Sequence, residues 1–168
     1  MLLYHGSNLF VEEPRLIKQT RGLDFGPGLY LTTNEVQAVR FSWIVVNRRK
    51  RGVAAVSIYT FDMETAERSL AIRRFESADK QWLRFVTDNR LTIYQGNAFD
   101  IVVGAVANDT VMPTIQALLG RFITEEAALV TLKTSKLVDQ VCLKSEKALA
   151  LLHFIKAYEP EVGGGANG

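Results

Sequence analysis

The chain has 168 residues, 48% of them hydrophobic and 23% charged, the composition of one folded domain with a sizeable core rather than of a disordered chain. Its formal charge of +2 is too small to single out a nucleic-acid partner, and one cysteine, Cys142, excludes an internal disulfide framework and a multi-cysteine zinc site. Apolar runs such as Ile101 to Ala107 fall far short of the ~20 residues that a membrane-spanning helix needs, and Met1-Leu2-Leu3-Tyr4-His5 carries no basic leader, so the expectation is a protein of the reducing cytoplasm with no membrane partner.

Leu2-Leu3-Tyr4 reads as a short buried strand ending at His5-Gly6-Ser7. Glu12 to Arg21, with Pro14, reads as a surface excursion with room for one helical turn. Gly22 to Gly28 holds Gly22, Gly26, Pro27 and Gly28, a composition suited to unusual backbone dihedrals or to close approach by a ligand. A strand, Leu29-Tyr30-Leu31-Thr32, leaves that loop. Asn34 then caps a helix, with Glu35 in its first turn. The spacing of Val36, Val39, Trp43 and Val46 predicts the face that packs on the core. Arg48-Arg49-Lys50-Arg51 suits the negative end of this helix, and Gly52 its C-cap. That reading is favoured over phosphate binding by the same four cations.

Val53 to Phe61 is β-rich and predicts a strand, and Leu70 to Phe75 another. Ser77 is placed to cap a helix carrying Trp82, Phe85 and Val86. Phe99 to Val106 predicts a buried strand closed by a turn at Asn108-Asp109. Helical patterns follow at Val111 to Phe122 and at Thr124 to Leu132, the second begun by Thr124 with Glu125 and Glu126 at its positive end. Leu137 to Lys144 is a late strand, and Ser145 caps a last helix whose Leu149 and Leu152 face inward. Helices and strands mix without regular βαβ alternation, which indicates an α+β fold. Residues 1–160 form a single domain on this reading, and the glycine-rich 161–168 a disordered tail.

Three segments stand out for chemistry: Tyr4-His5-Gly6-Ser7, Gly26-Pro27-Gly28-Leu29-Tyr30-Leu31-Thr32, and Asp139-Gln140-Val141-Cys142-Leu143. Each alone has a bland alternative: a structural histidine, a plain turn, a surface glutamine. In this order they resemble the motifs of ADP-ribosyltransferases of the diphtheria-toxin and poly(ADP-ribose) polymerase branch, an "HG[ST]" opening strand, a "GxGxYF" second strand and an acidic or amide residue opening a late strand. Asp24 to Thr32, Phe99 to Gly104, and Gln140 followed by Ser145-Glu146-Lys147-Ala148-Leu149 are also similar to a little-characterised family of bacterial domains with that fold. The resemblance extends from Tyr4 to about Ile155.

What it implies is an ADP-ribosyltransferase-like fold with two small twisted β-sheets flanking a split cleft, NAD as co-substrate, and mono-ADP-ribosyl transfer to a macromolecular acceptor, protein or nucleic acid. By the same resemblance His5 hydrogen-bonds a ribose hydroxyl, the Gly6 backbone grips the nicotinamide carboxamide, and the Tyr30 ring stacks on nicotinamide. Ser7 adds a hydroxyl contact, and Gly28 belongs to the NAD-binding loop. Domains of this compact type act as bacterial toxins or effectors, which implies an antitoxin partner.

The third position departs from the best-known pattern, because Gln140 can accept the ribose hydroxyl's hydrogen bond but brings no negative charge to the developing cation. Slower turnover and no chain elongation follow. Two rivals stand beside the transferase: an NAD- or ADP-ribose-binding module with little catalysis, and a nucleic-acid-interacting protein using Arg48 to Arg51. Cys142 and His153 read as structural, and two histidines with no carboxylate cluster make no metal site. Asp79 and Asp109 are lesser candidates for lining the cleft.

Overall fold

The computed structural model describes residues 1–17, 22–91, 98–105, 111–133 and 139–161. Along the chain they form β1 (Leu2–Ser7), β2 (Leu29–Leu31), α1 (Glu35–Arg49), β3 (Ala55–Phe61), α2 (Met63–Ser69), β4 (Ile72–Arg74), α3 (Lys80–Leu91), β5 (Ile101–Ala105), α4 (Met112–Leu119), α5 (Glu125–Lys133), β6 (Asp139–Leu143), α6 (Glu146–Leu149) and β7 (Leu152–Tyr158). The fold is α+β with two small sheets, one ordered β1-β3-β7 and the other β2-β6-β5-β4. All pairings are antiparallel except β4 with β5.

Alternation along the strands sorts side chains into layers. Leu3, Tyr59, Phe61 and Leu152 of the first sheet meet Leu29, Leu31, Ile101, Val141 and Leu143 of the second in an inter-sheet core. The outer face of the first sheet carries Val56 and Ile58 under Ala38 of α1. The outer face of the second carries Val102 and Cys142 under Trp82, Leu83 and Val86 of α3, Ile115 of α4 and Ala128 and Leu132 of α5. The order of layers is therefore α1, first sheet, second sheet, then α3, α4 and α5. No described helix is long and apolar enough to cross a membrane.

Several boundaries differ from the sequence reading. Asn34 caps α1 as expected, accepting from the Gln37 N–H at 3.1 Å. The buried stripe of α1, however, is Ala38, Ser42 and Val45, and Val36 is 64% exposed. The cause lies in β1: a Cβ on Gly6 would stand 2.0 Å from the Ala38 carbonyl, so the helix rides directly on strand backbone and only small residues fit beneath it. Its C-cap is Lys50, held at φ 53, rather than Gly52. Asp79, not Ser77, caps α3, accepting from the Trp82 N–H at 2.9 Å. The last helix is a single turn, Glu146–Leu149, and the chain then enters β7, which places Leu152 and His153 on a strand. Asp109, Leu137, Val138 and the tail from 162 lie outside the described residues, as does the 18–21 part of the surface excursion.

Candidate functional site

Among the described residues the two sheets are joined by one bridge, Tyr4 to Thr32, whose N–H groups donate to each other's carbonyls at 2.9 and 3.0 Å. In an antiparallel pair alternate residues turn their N–H and C=O to the same side. Gly6 therefore turns its backbone pair toward β2 as Tyr4 does, and continued register would set it against Tyr30. Instead the strands part there. The Tyr30 carbonyl is taken by the His5 side chain, with Nδ1 at 2.8 Å. An imidazole has replaced the next rung of the ladder, opening a seam between the sheets.

This bond fixes the chemistry of His5. A carbonyl only accepts, so Nδ1 carries the proton, and in the neutral ring Nε2 is left as an acceptor. Burial lowers the pKa of His5; the bond to Tyr30 opposes that shift and the nearby Arg49 charge adds to it. The burial has a visible source. His5 shares a strand face with Leu3 and lies opposite Ser57 in β3. The segment after β1 folds back over this face, pinned at Val11, whose N–H donates to Ser57 Oγ at 2.9 Å and whose carbonyl accepts from the Tyr59 hydroxyl. Ser7 follows His5 on the same face.

Tyr30 sits between Leu29 and Leu31, which face the inter-sheet core, so its ring emerges on the outer face of the second sheet. There it lies nearly parallel to Phe25, with 6.4 Å between centroids and 18° between planes. Its hydroxyl is committed: it donates to the Gly26 carbonyl at 2.5 Å and accepts from the Phe25 N–H at 3.1 Å. Burial raises the pKa of this phenol well above its usual range. Tyr30 is thus an anchor of the glycine loop that presents one half-buried aromatic ring beside the seam.

Lys144 is the second anchor, and sequence reasoning passed over it. It is 4% exposed, and its ammonium donates to the carbonyls of Phe25 and of Pro27, the latter at 3.0 Å. Burial lowers its pKa. A lysine directly after Val141-Cys142-Leu143 was a legible signal, since a cation ending a core strand needs acceptors of its own. Asp24 and Arg90 brace the loop's other end with a 2.5 Å ion pair. Gly26, at φ 76, supplies the left-handed turn that this shape requires. Gly28 faces inward, where a Cβ would come within 2.5 Å of the Cys142 sulfur. Cys142 is fully buried and its thiol is pushed up to about 12, which makes it core and not nucleophile.

Gln140 joins this arrangement through register. Leu31 pairs with Val141, so Thr32 stands level with Gln140 and Thr33 with Asp139. Gln140 shares the outer face with Cys142 and Tyr30, and its side-chain oxygen is buried without a hydrogen-bond partner. The neighbouring acid, Asp139, is taken up by Thr33, whose N–H and hydroxyl donate to it at 3.3 and 2.8 Å. His5 and Tyr30 are therefore joined by a direct bond, and Tyr30 and Gln140 by a shared sheet face. Gly6 is a glycine because of α1, since its missing Cβ points at Ala38 and not into the seam. His153 lies on the exposed stretch of β7, away from all of these.

Among curated proteins and among solved structures nothing matches the chain. Over residues 1–154 it matches the model of a family described as protein of unknown function (DUF3990), and the chain belongs to that family.

Proposed function

We propose that the chain is a mono-ADP-ribosyltransferase of the ADP-ribosyltransferase fold, which holds NAD at the seam between β1 and β2 and passes one ADP-ribose to a macromolecular acceptor. The observation that carries this reading is the interrupted ladder. Gly6, buried under α1, turns one N–H and one C=O toward the seam beyond the last bridge, a pair complementary to a carboxamide. Beside them the neutral His5 presents Nε2, an acceptor suited to a ribose hydroxyl. Tyr30, pinned at its hydroxyl, offers its ring for stacking on nicotinamide. The two sheets, and the order in which these residues fall along the chain, support the fold assignment.

In the reaction the ribose–nicotinamide C–N bond breaks with its electron pair leaving on nicotinamide. An acceptor nucleophile bonds to the same ribose carbon and gives up its proton to solvent. Positive charge builds on the ribose in between. The pinned loop and the seam would supply orientation, which is a large part of catalysis when solvent reorganisation is avoided. Gln140 supplies a neutral acceptor where a carboxylate would stabilise the cation more strongly. Toxin or effector action restrained by an antitoxin extends this proposal through the family resemblance.

A second reading is favoured by a specific observation: the third position is an amide with an unpartnered buried oxygen, and the adjacent Asp139 is engaged elsewhere. On that reading the domain binds NAD and turns it over very little. Labelled NAD separates the two. The transferase releases nicotinamide and labels an acceptor, and Tyr30→Ala lowers release by about 100-fold or more, the scale expected when a substrate-positioning group is lost. A rise in melting temperature with NAD but no release supports the binding module. Neither release nor stabilisation at millimolar NAD would remove both.

A further inference from the structure

Residues 36–61 hold five of the chain's 20 Lys and Arg and none of its 18 Asp and Glu. Four of the five, Arg48, Arg49, Lys50 and Arg51, cluster where α1 ends. Asn8, three residues beyond His5, ties that end to the mouth of the seam. It accepts from Arg49 Nη1 at 3.0 Å, donates to the Arg51 carbonyl at 3.1 Å, and takes the Val53 N–H on its own carbonyl at 3.1 Å. Arg49 is near enough for its charge to help keep His5 neutral.

Elsewhere arginines meet carboxylates: Arg68 with Glu64, Arg74 with Glu67, Arg84 with Glu125, Arg90 with Asp24. Among the described residues the side chains of Arg48, Lys50 and Arg51 have no such partner. The helix dipole accounts for cations within the last turn, but Lys50 and Arg51 lie beyond it. Next along the chain from Asn8 and from Gly52 are apolar groups open to solvent: Leu9 at 50%, Phe10 at 48% and Val53 at 41% exposure. Guanidinium groups and an exposed aromatic, brought to one end of α1 through Asn8, are the chemistry that tracks a phosphodiester backbone while a base stacks on the ring.

We infer that the rim formed by Arg48, Lys50, Arg51 and Phe10 binds single-stranded nucleic acid, which is thereby the acceptor brought to the seam. The binding stands on its own; its naming as acceptor rests on the proposed transfer. A single strand fits better than a duplex because the patch offers a stacking surface and a short run of cations.

Fluorescence anisotropy with labelled dT12 and U12 tests the inference on the full chain. Saturable binding of at least one is expected at 50 mM salt, weakening by about 15–20-fold at 200 mM if roughly three phosphates are contacted. The exposed double variant R48E/R51E should bind at least about tenfold more weakly, and Phe10→Ala about fivefold more weakly, with melting temperatures unchanged. No binding of either oligonucleotide at 100 µM protein (roughly the weak limit for non-specific binding), binding unaffected by R48E/R51E, or competition by polyglutamate or duplex as effective as by unlabelled single strand would each overturn it. Nicotinamide release is read in parallel. Oligonucleotide binding without release sustains this inference and defeats the transferase, whereas release without oligonucleotide binding does the reverse.

Discussion

On the second-sheet side of the seam, the loop from Phe25 to Pro27 has its backbone groups satisfied from within: Tyr30 holds the Phe25 N–H and the Gly26 carbonyl, and Lys144 the carbonyls of Phe25 and Pro27. On the first-sheet side, β1 leaves the Gly6 rung unpaired, His5 presents an acceptor, and the end of α1 raises cations that have no carboxylate partner among the described residues. One wall is a scaffold whose polar groups are spent on itself. The other keeps its polar groups for something else. A buried cation satisfied by carbonyls is architecture, while unpaired donors and acceptors at a seam are recognition.

The scaffold wall should break hardest. Lys144→Met strands the Phe25 and Pro27 carbonyls in a buried setting, which we expect to cost about 3 kcal/mol and to lower the melting temperature by roughly 6–12 °C. A loss under 1 kcal/mol by chemical denaturation would mean that the loop is not held as described. The same variant should weaken NAD-induced stabilisation further than its fold requires, since the loop carries Tyr30 into place.

On the outer face of the second sheet, Gln140→Glu has the next largest effect. A carboxylate at this position restores charge beside the developing cation, so nicotinamide release should rise by about tenfold, equivalent to ~1.4 kcal/mol of transition-state stabilisation. It also places a charge where the amide oxygen is buried and unpartnered, so stability should fall by about 1 kcal/mol. An unchanged or lower rate in a folded variant would remove Gln140 from the site.

The smallest effect belongs to His5. Its folded-state pKa lies below the 6.5 of a free imidazole, so the unfolded chain binds the proton more readily. Stability is therefore full above about pH 6.5 and declines as pH falls from there through the lowered folded value. The melting temperature should drop more steeply between pH 6.5 and 5.5 in the wild type than in His5→Asn, which retains a donor for the Tyr30 carbonyl. Equal slopes would place the neutral imidazole in doubt.

The sequence already carried much of this. The helix starts at Asn34, Thr124 and Ser145 were legible because a capping side chain acts locally, and α1, α5 and α6 begin there. Strand β7 was not: most of Leu152–Tyr158 is exposed on a sheet edge, so no buried alternation marks it, and it read as helix. The face of α1 was misjudged because the determinant, the bare backbone of Gly6, lies in another element. The same limit applied to the site. His5, Gly6, Tyr30 and Gln140 could be picked out one by one, but Lys144 and the missing rung became visible only when strand register set residues far apart in sequence against each other.

If the Gly6 edge of β1 is a binding group, amide hydrogen exchange at Gly6 with and without NAD will report it. The Gly6 N–H, lacking a partner across the seam, should become protected on addition of NAD, while the Tyr4 N–H, already bonded to Thr32, changes little. Unaltered exchange at Gly6 under saturating NAD, or protection confined to residues away from β1, would contradict it.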